Sequence, residues 1–201
     1  MLRVALTGGL ASGKSFIGKT LESLGCLLVQ ADSLGHQVLL PDGEAYAEVV
    51  AEFGRDILDP EGRIDRRKLA ALVFRDPEKL ARLNSFVHPP VRDRTEKLIR
   101  DFAVHKPTGI AVVEAAIHIE TGGYRNFDRL ILAWCRPEQQ IERAMHRDGM
   151  TREEAQARLM RQMPLDEKKS YAHFVVDTSG TKEETVRQTE EVYRKLRSIA
   201  Q

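Results

Sequence analysis

The sequence predicts an α/β protein: a five-stranded parallel sheet flanked by helices, with a phosphate-binding loop after the first strand and a helical insertion after the second. Three observations predict it. Five short apolar runs, at 2–6, 27–29, 110–113, 130–134 and 174–176, alternate with amphipathic segments, as strands and covering helices do in a parallel sheet. The glycine-rich run Gly8-Gly9-Leu10-Ala11-Ser12-Gly13-Lys14-Ser15 directly follows the first of them. Nearly eighty residues separate the second run from the third, far more than a βαβ crossover needs.

Composition sets the limits. The 201 residues, 42% apolar and 30% charged, make a globular chain that buries a core without disulfides. With 31 basic and 30 acidic residues the net charge is +1, which gives no bulk electrostatic reason to bind nucleic acid or an anionic membrane. The amino terminus lacks the apolar region of a signal peptide. The most apolar stretch, 110–119, is interrupted by Glu114 and His118, so no membrane span is expected. Cys26 and Cys135 stand far apart with no metal-ligand spacing; both are expected as buried, reduced thiols of a cytoplasmic protein.

The elements follow in order. The strands lack strict alternation, as expected where helices cover both faces. After the glycine-rich loop, Ile17, Leu21 and Leu24 share a helix face and Gly25 stands at C′. In the insertion, Tyr46, Val49, Val50 and Phe53 form another face. Asp76-Pro77 reads as an N-cap followed by proline at N1, with Leu80 and Leu83 facing inward. His88-Pro89-Pro90 is expected to break the chain before a helix bearing Leu98, Ile99 and Phe102. Thr151 with Glu154, and Thr181 with Glu184, are capping boxes; the second opens a final helix with Val192, Leu196 and Ile199 on its apolar stripe. Trp134 is expected in the core, and His118 as a partly buried, hydrogen-bonded histidine.

The glycine-rich run matches G-x-x-x-x-G-K-[ST], between a strand and a helix as that motif requires. Glycines let backbone N–H groups curl around phosphate oxygens, and the helix N-terminus adds partial positive charge. Lys14 is positioned to reach the β- and γ-phosphates, and the Ser15 hydroxyl to ligate Mg²⁺. Gly8, Ala11, Ser12, Gly13, Lys14, Ser15 and Phe16 are the expected ATP-binding residues. The motif fixes a nucleoside triphosphate donor and leaves the acceptor open. No Asn-Lys-x-Asp guanine motif occurs.

Asp32 follows the second strand, on the rim where ligands of open α/β sheets sit. Its carboxylate suits the orientation of an acceptor hydroxyl, and equally the capping of the next helix. Arg143 and Arg147 lie four apart, Arg158 and Arg161 three apart. Such faces close on phosphates or pair with neighbouring glutamates.

Over essentially its full length the chain resembles the dephospho-CoA kinase family. The resemblance is carried by the phosphate loop, by Leu24-Gly25 and Ala31-Asp32, and by Phe53-Gly54, Gly62, Arg66, Leu69 and Val73-Phe74 in order. Asn84 through His88-Pro89, Glu120, Gln140 with Arg143 and Arg147-Asp148, Arg158, Gln162, and Asp177 with Ser179-Gly180 complete it. It implies a P-loop kinase fold with strand order 2-3-1-4-5. The core would span about 1–31, 107–136 and 165–201, the acceptor-binding helical insert about 32–106 and the lid about 137–164. The implied reaction transfers the ATP γ-phosphoryl, with Mg²⁺, to the ribose 3′-hydroxyl of dephospho-CoA. Lys14, Asp32 and Arg143 would be catalytic, His88, Pro89 and Glu120 would hold the acceptor, and Arg143, Arg147 and Arg158 would serve the lid. Thr178 and Gly180 would lie on the adenine side. A kinase for another small hydroxyl acceptor, or a nucleotide-binding regulator without turnover, is the alternative. The chain departs from the family pattern at Gln30 (an acid in the pattern), at Ala116-Ile117-His118-Ile119 (Pro-Leu-Leu-Phe), at Ala11, at Phe16 and at Thr178.

Overall fold

A computed structural model describes residues 1–74 and 76–201. Five parallel strands form one sheet: β1 (Leu2–Gly8), β2 (Leu27–Gln30), β3 (Ile110–Glu114), β4 (Arg129–Trp134) and β5 (Phe174–Asp177). Their order is β2-β3-β1-β4-β5. The central strand pairs Leu6 with Glu114 on one side and with Ile131 on the other, and Gln30 pairs with Glu114. These registers bring the carboxyl ends of β2, β3 and β1 together, and the site is built there.

The helices are α1 (Lys14–Ser23), α2 (Ala31–Gln37), α3 (Tyr46–Phe53), α4 (Arg66–Val73), α5 (Pro77–His105), α6 (Pro137–Asp148), α7 (Arg152–Leu159), α8 (Leu165–Lys168) and α9 (Lys182–Ala200). Strands β1, β3 and β4 are apolar through most of their length because both of their faces are covered. Ile17 and Leu21 of α1 pack with Val192 and Leu196 of α9 against Val4, Leu6, Val112 and Ile131. Each such side chain contributes about 1.5–3 kcal/mol when taken fully out of water. Helix α1 stops in a Schellman motif, with Gly25 at φ 94°, its N–H donating to Glu22 O, and the Cys26 N–H donating to Leu21 O. Both expected capping boxes are formed, Thr151 with Glu154 and Thr181 with Glu184.

The chain divides into two compact units, Met1–Gln30 with Ile99–Gln201, and Ala31–Leu98. The second has its own core, in which Val38, Ala45, Val49, Ile57, Leu69 and Val73 are buried. Asp76 caps α5 by accepting from the Glu78 and Lys79 N–H groups.

The expected break at His88-Pro89-Pro90 is absent, because α5 runs through both prolines. Proline forfeits a helix hydrogen bond and crowds the carbonyl four residues back. Here Leu83, Phe86 and Val87 before the pair, and Val91 after it, all pack against the same core. Packing on both sides holds the helix in register across the defect. Trp134 is also less internal than expected. It is partly buried, its Nε1 donates to Asp166 Oδ1, and Lys169 Nζ lies 3.9 Å from the ring centroid. Both cysteines are buried and free. No helix among the described residues is long and apolar enough to cross a membrane.

Candidate active site

The phosphate loop joins β1 to α1, and two of its residues have left-handed backbones, Ala11 at φ 49° and Gly13 at φ 86°. Gly13 is the N-cap of α1 and offers no side chain, and the first turn carries no acid. The positive end of the helix dipole is therefore free to meet an anion. Close approach dictates the other glycines: a Cβ on Gly8 would lie 2.8 Å from Ala133 O, and one on Gly9 would lie 2.5 Å from Gln140 Nε2. The Lys14 Nζ donates to Gly9 O at 3.2 Å, folding the side chain back along the loop.

Beside the loop, Glu114 closes β3. It is only 6% exposed, and its carboxylate is shared. Oε1 accepts from Ser15 Oγ at 2.7 Å, and Oε2 accepts from Gln30 Nε2 at 3.2 Å. Sequence reasoning passed over Glu114 as an interruption in an apolar stretch. The available signal was an acid at the carboxyl end of a strand otherwise wholly buried.

On the other flank, α6 faces the segment after β5. The Arg143 guanidinium donates to Thr178 Oγ1 at 3.1 Å and to Thr178 O at 2.6 Å. Thr178 Oγ1 donates in turn to Ser12 O at 2.9 Å, so Arg143 is tied to the phosphate loop through one residue. A cavity of about 800 Å³ opens here, bordered by loop residues from Ala11 to Phe16 and by Arg143, Arg147, Thr178, Gly180 and Lys182. Arg147 turns to Asp148 and donates to both carboxylate oxygens, at 2.7 and 2.8 Å. That pairing holds the Asp148 carboxyl below its ordinary range, with a lesser contribution from the charge of Arg158.

A dephospho-CoA kinase family profile matches residues 2–184. The chain belongs to the dephospho-CoA kinase family. It is 38% identical over 192 residues to a dephospho-CoA kinase of Geobacter sulfurreducens, covering 96% of this chain and 97% of that one. Among solved structures it is similar to the TT1252 protein of Thermus thermophilus, with TM-score 0.81, 31% identity and 97% of each chain covered. It is also similar to a dephospho-CoA kinase from Campylobacter jejuni, with TM-score 0.70, 26% identity, and 98% and 97% covered.

Within this dephospho-CoA kinase family chain, the loop residues from Ala11 to Phe16, with Arg143, Arg147, Thr178 and Gly180, border one cavity, and Gly8 does not. The remaining expected residues are described by their own elements. Asp32 is exposed in the first turn of α2, inside the helix rather than at its cap. His88 and Pro89 lie within α5, and partial burial holds the His88 imidazole below its ordinary pKa. Arg158 is exposed on α7. Glu120 is engaged by a residue that sequence reasoning missed: Lys168, fully buried, sits with Nζ 2.8 Å from Glu120 Oε1 and 3.1 Å from Ala116 O.

Two of the departures from the family pattern have local explanations. Gln30 faces Glu114, so its amide donates where an acid would set two carboxylates together. His118 is buried, its Nε2 3.0 Å from Val113 O and its ring edge-on to Phe127 at 5.2 Å. Because a carbonyl can only accept, Nε2 carries the hydrogen.

Among the described residues no group of three or more His, Cys, Asp or Glu is arranged to hold a metal ion alone. Ser15 and Glu114 nevertheless form a hard oxygen donor pair beside the phosphate loop. That suits Mg²⁺, which is held by one or two protein oxygens, substrate phosphates and water.

Proposed function

We propose that the protein transfers the γ-phosphoryl group of ATP to the ribose 3′-hydroxyl of dephospho-CoA, giving coenzyme A and ADP. The observation that carries this reading is the family match over nearly the whole chain, on a phosphate loop whose lysine and serine are both present. Mg²⁺, bound with ATP, would supply charge neutralisation across the β- and γ-phosphates.

The chain's own residues divide the remaining work. The loop amides, Lys14 and Arg143 neutralise phosphoryl oxygens whose charge spreads during transfer. Ser15 would donate a hydrogen bond to Glu114 and offer its lone pairs to the cation. Asp32 aligns the attacking hydroxyl and accepts its proton late, since the transition state is loose. His88, Pro89 and Glu120 contact the acceptor. Ala11, Ser12, Gly13, Phe16, Thr178 and Gly180 complete the ATP site, and Arg147 and Arg158 serve a lid over 137–164. Two buried free thiols suit a reducing cytoplasm.

The test is a coupled ADP-release assay over a panel of acceptors with Mg²⁺ and ATP. Turnover confined to dephospho-CoA is the expected result. Turnover of a nucleoside or nucleotide in its place, or of no acceptor at all, would overturn the reading.

A further inference from the structure

We infer that Gln140 and Gln162 form a clamp on the backbone of Leu10 that holds the phosphate loop in its nucleotide-binding shape, so that both are positioning residues for the triphosphate. Both hydrogen-bonding groups of Leu10 are taken by side chains from distant sequence. Its N–H donates to Gln162 Oε1 at 2.9 Å, and its C=O accepts from Gln140 Nε2 at 2.7 Å. Gln140 lies on α6 and is 2% exposed; Gln162 follows the end of α7.

The next residue shows what is being held. Ala11 has φ 49°, the one positive φ outside glycine among the described residues. A side-chain-bearing residue stays in the left-handed region only where its surroundings over-determine it. Those surroundings are the clamp on the preceding residue and the packing of Ala11 against Ile141, Ala144 and Ala155 of α6 and α7. Gly9 marks the tightness of the grip, since its missing Cβ would fall 2.5 Å from Gln140 Nε2. The strand before the loop and the helix after it set the loop's two ends. The glutamines set its tip, where the backbone turns before Ser12, Gly13 and Lys14.

The two bonds have opposite polarity, and that makes the idea testable. The Leu10 carbonyl requires a donor, and its N–H requires an acceptor. A glutamine amide meets either need; a glutamate carboxylate meets only the second. Gln140→Glu and Gln162→Glu therefore add the same charge to the same neighbourhood, yet the first breaks its bond and the second keeps it.

The inference rests on the reading that the loop binds ATP. The experiment is calorimetric titration of the intact protein with ATP, without acceptor, well below each variant's melting temperature. The comparison is thus read whether or not dephospho-CoA is turned over. Gln140→Glu should weaken ATP binding about tenfold more than Gln162→Glu does, the scale expected for a buried carbonyl left facing another acceptor. In turnover, KM for ATP should rise with it while KM for the acceptor stays. Gln140→Met, which removes the donor without adding charge, carries the test if Gln140→Glu does not fold, and should weaken ATP binding about fivefold. Equal ATP affinities for the two glutamate variants, or wild-type affinity in Gln140→Met, would overturn the clamp.

Discussion

Ser15 Oγ donates a hydrogen bond to Glu114 Oε1 across 2.7 Å, joining the first turn of α1 to the end of β3. A hydroxyl whose proton is committed on one side presents lone pairs on the other. Glu114 thus decides which way Ser15 faces, and its own negative charge lies close to where a cation bound by that oxygen would sit.

Glu114→Gln should accordingly raise the Mg²⁺ concentration for half-maximal rate by about tenfold, at the low end of what a hydrogen bond to a charged group supplies. ATP affinity measured without the cation should change far less. A magnesium titration at saturating ATP checks this. An unshifted midpoint would make Glu114 a structural acid only.

Asp32→Asn tests the alignment of the acceptor. General-base contributions are typically worth ~10²–10⁴ in rate, and kcat should fall within that range. ATP binding should be nearly unchanged, since the loop residues and Arg143 are untouched. Single-turnover kinetics and ATP titration separate the two readouts, and a variant that keeps most of its kcat would remove Asp32 from the chemistry.

Lys168→Met concerns stability. Lys168 is wholly buried against Glu120, whose side chain is 23% exposed. Breaking a buried pair by removing one partner costs about 3 kcal/mol at the lower end of the usual range, and the partial exposure of Glu120 favours that end. At ~2–4 °C per kcal/mol for a chain of this size, the melting temperature should drop by roughly 6–12 °C. A calorimetric shift below about 2 °C would mean that the pair contributes little net stability.

Cys26 gives a pH dependence. Burial pushes its thiol up to about 12, against the opposing charges of Arg197 and Lys106. An unfolded thiol titrates near about 8.5. Below that value both states hold the proton, and the contribution to stability is full. Between the two values only the unfolded chain ionises, so stability falls by about 1.4 kcal/mol per pH unit as pH rises, until the folded thiol ionises too. Urea unfolding of wild type and Cys26→Ala at several alkaline pH values should show a steeper loss in the wild type. Parallel slopes would contradict the shift.

What the sequence revealed follows from how far apart the interacting residues lie. The strands, both capping boxes, the Gly25 helix stop and the phosphate loop are local patterns, written within a few consecutive residues, and all are formed. The strand order was legible only through the family resemblance. The continuity of α5 was hidden, because the double proline is a strong local break signal that packing by Phe86, Val87 and Val91 overrides. The pairings made by Glu114, Gln140, Gln162 and Lys168 were hidden for another reason. Their partners stand 99, 130, 152 and 52 positions away, and no periodicity records a pairing at that range.

The hydrogen bond between Gln30 and Glu114 also makes the two positions dependent on each other in this chain. With Glu at 114, an Asp in place of Gln30 brings two carboxylates together beside Ser15 and the phosphate loop. With Gln at 30, shortening Glu114 to Asp draws the acceptor away from both of its donors. A change at either position therefore reaches the other, and through Glu114 it reaches Ser15 as well.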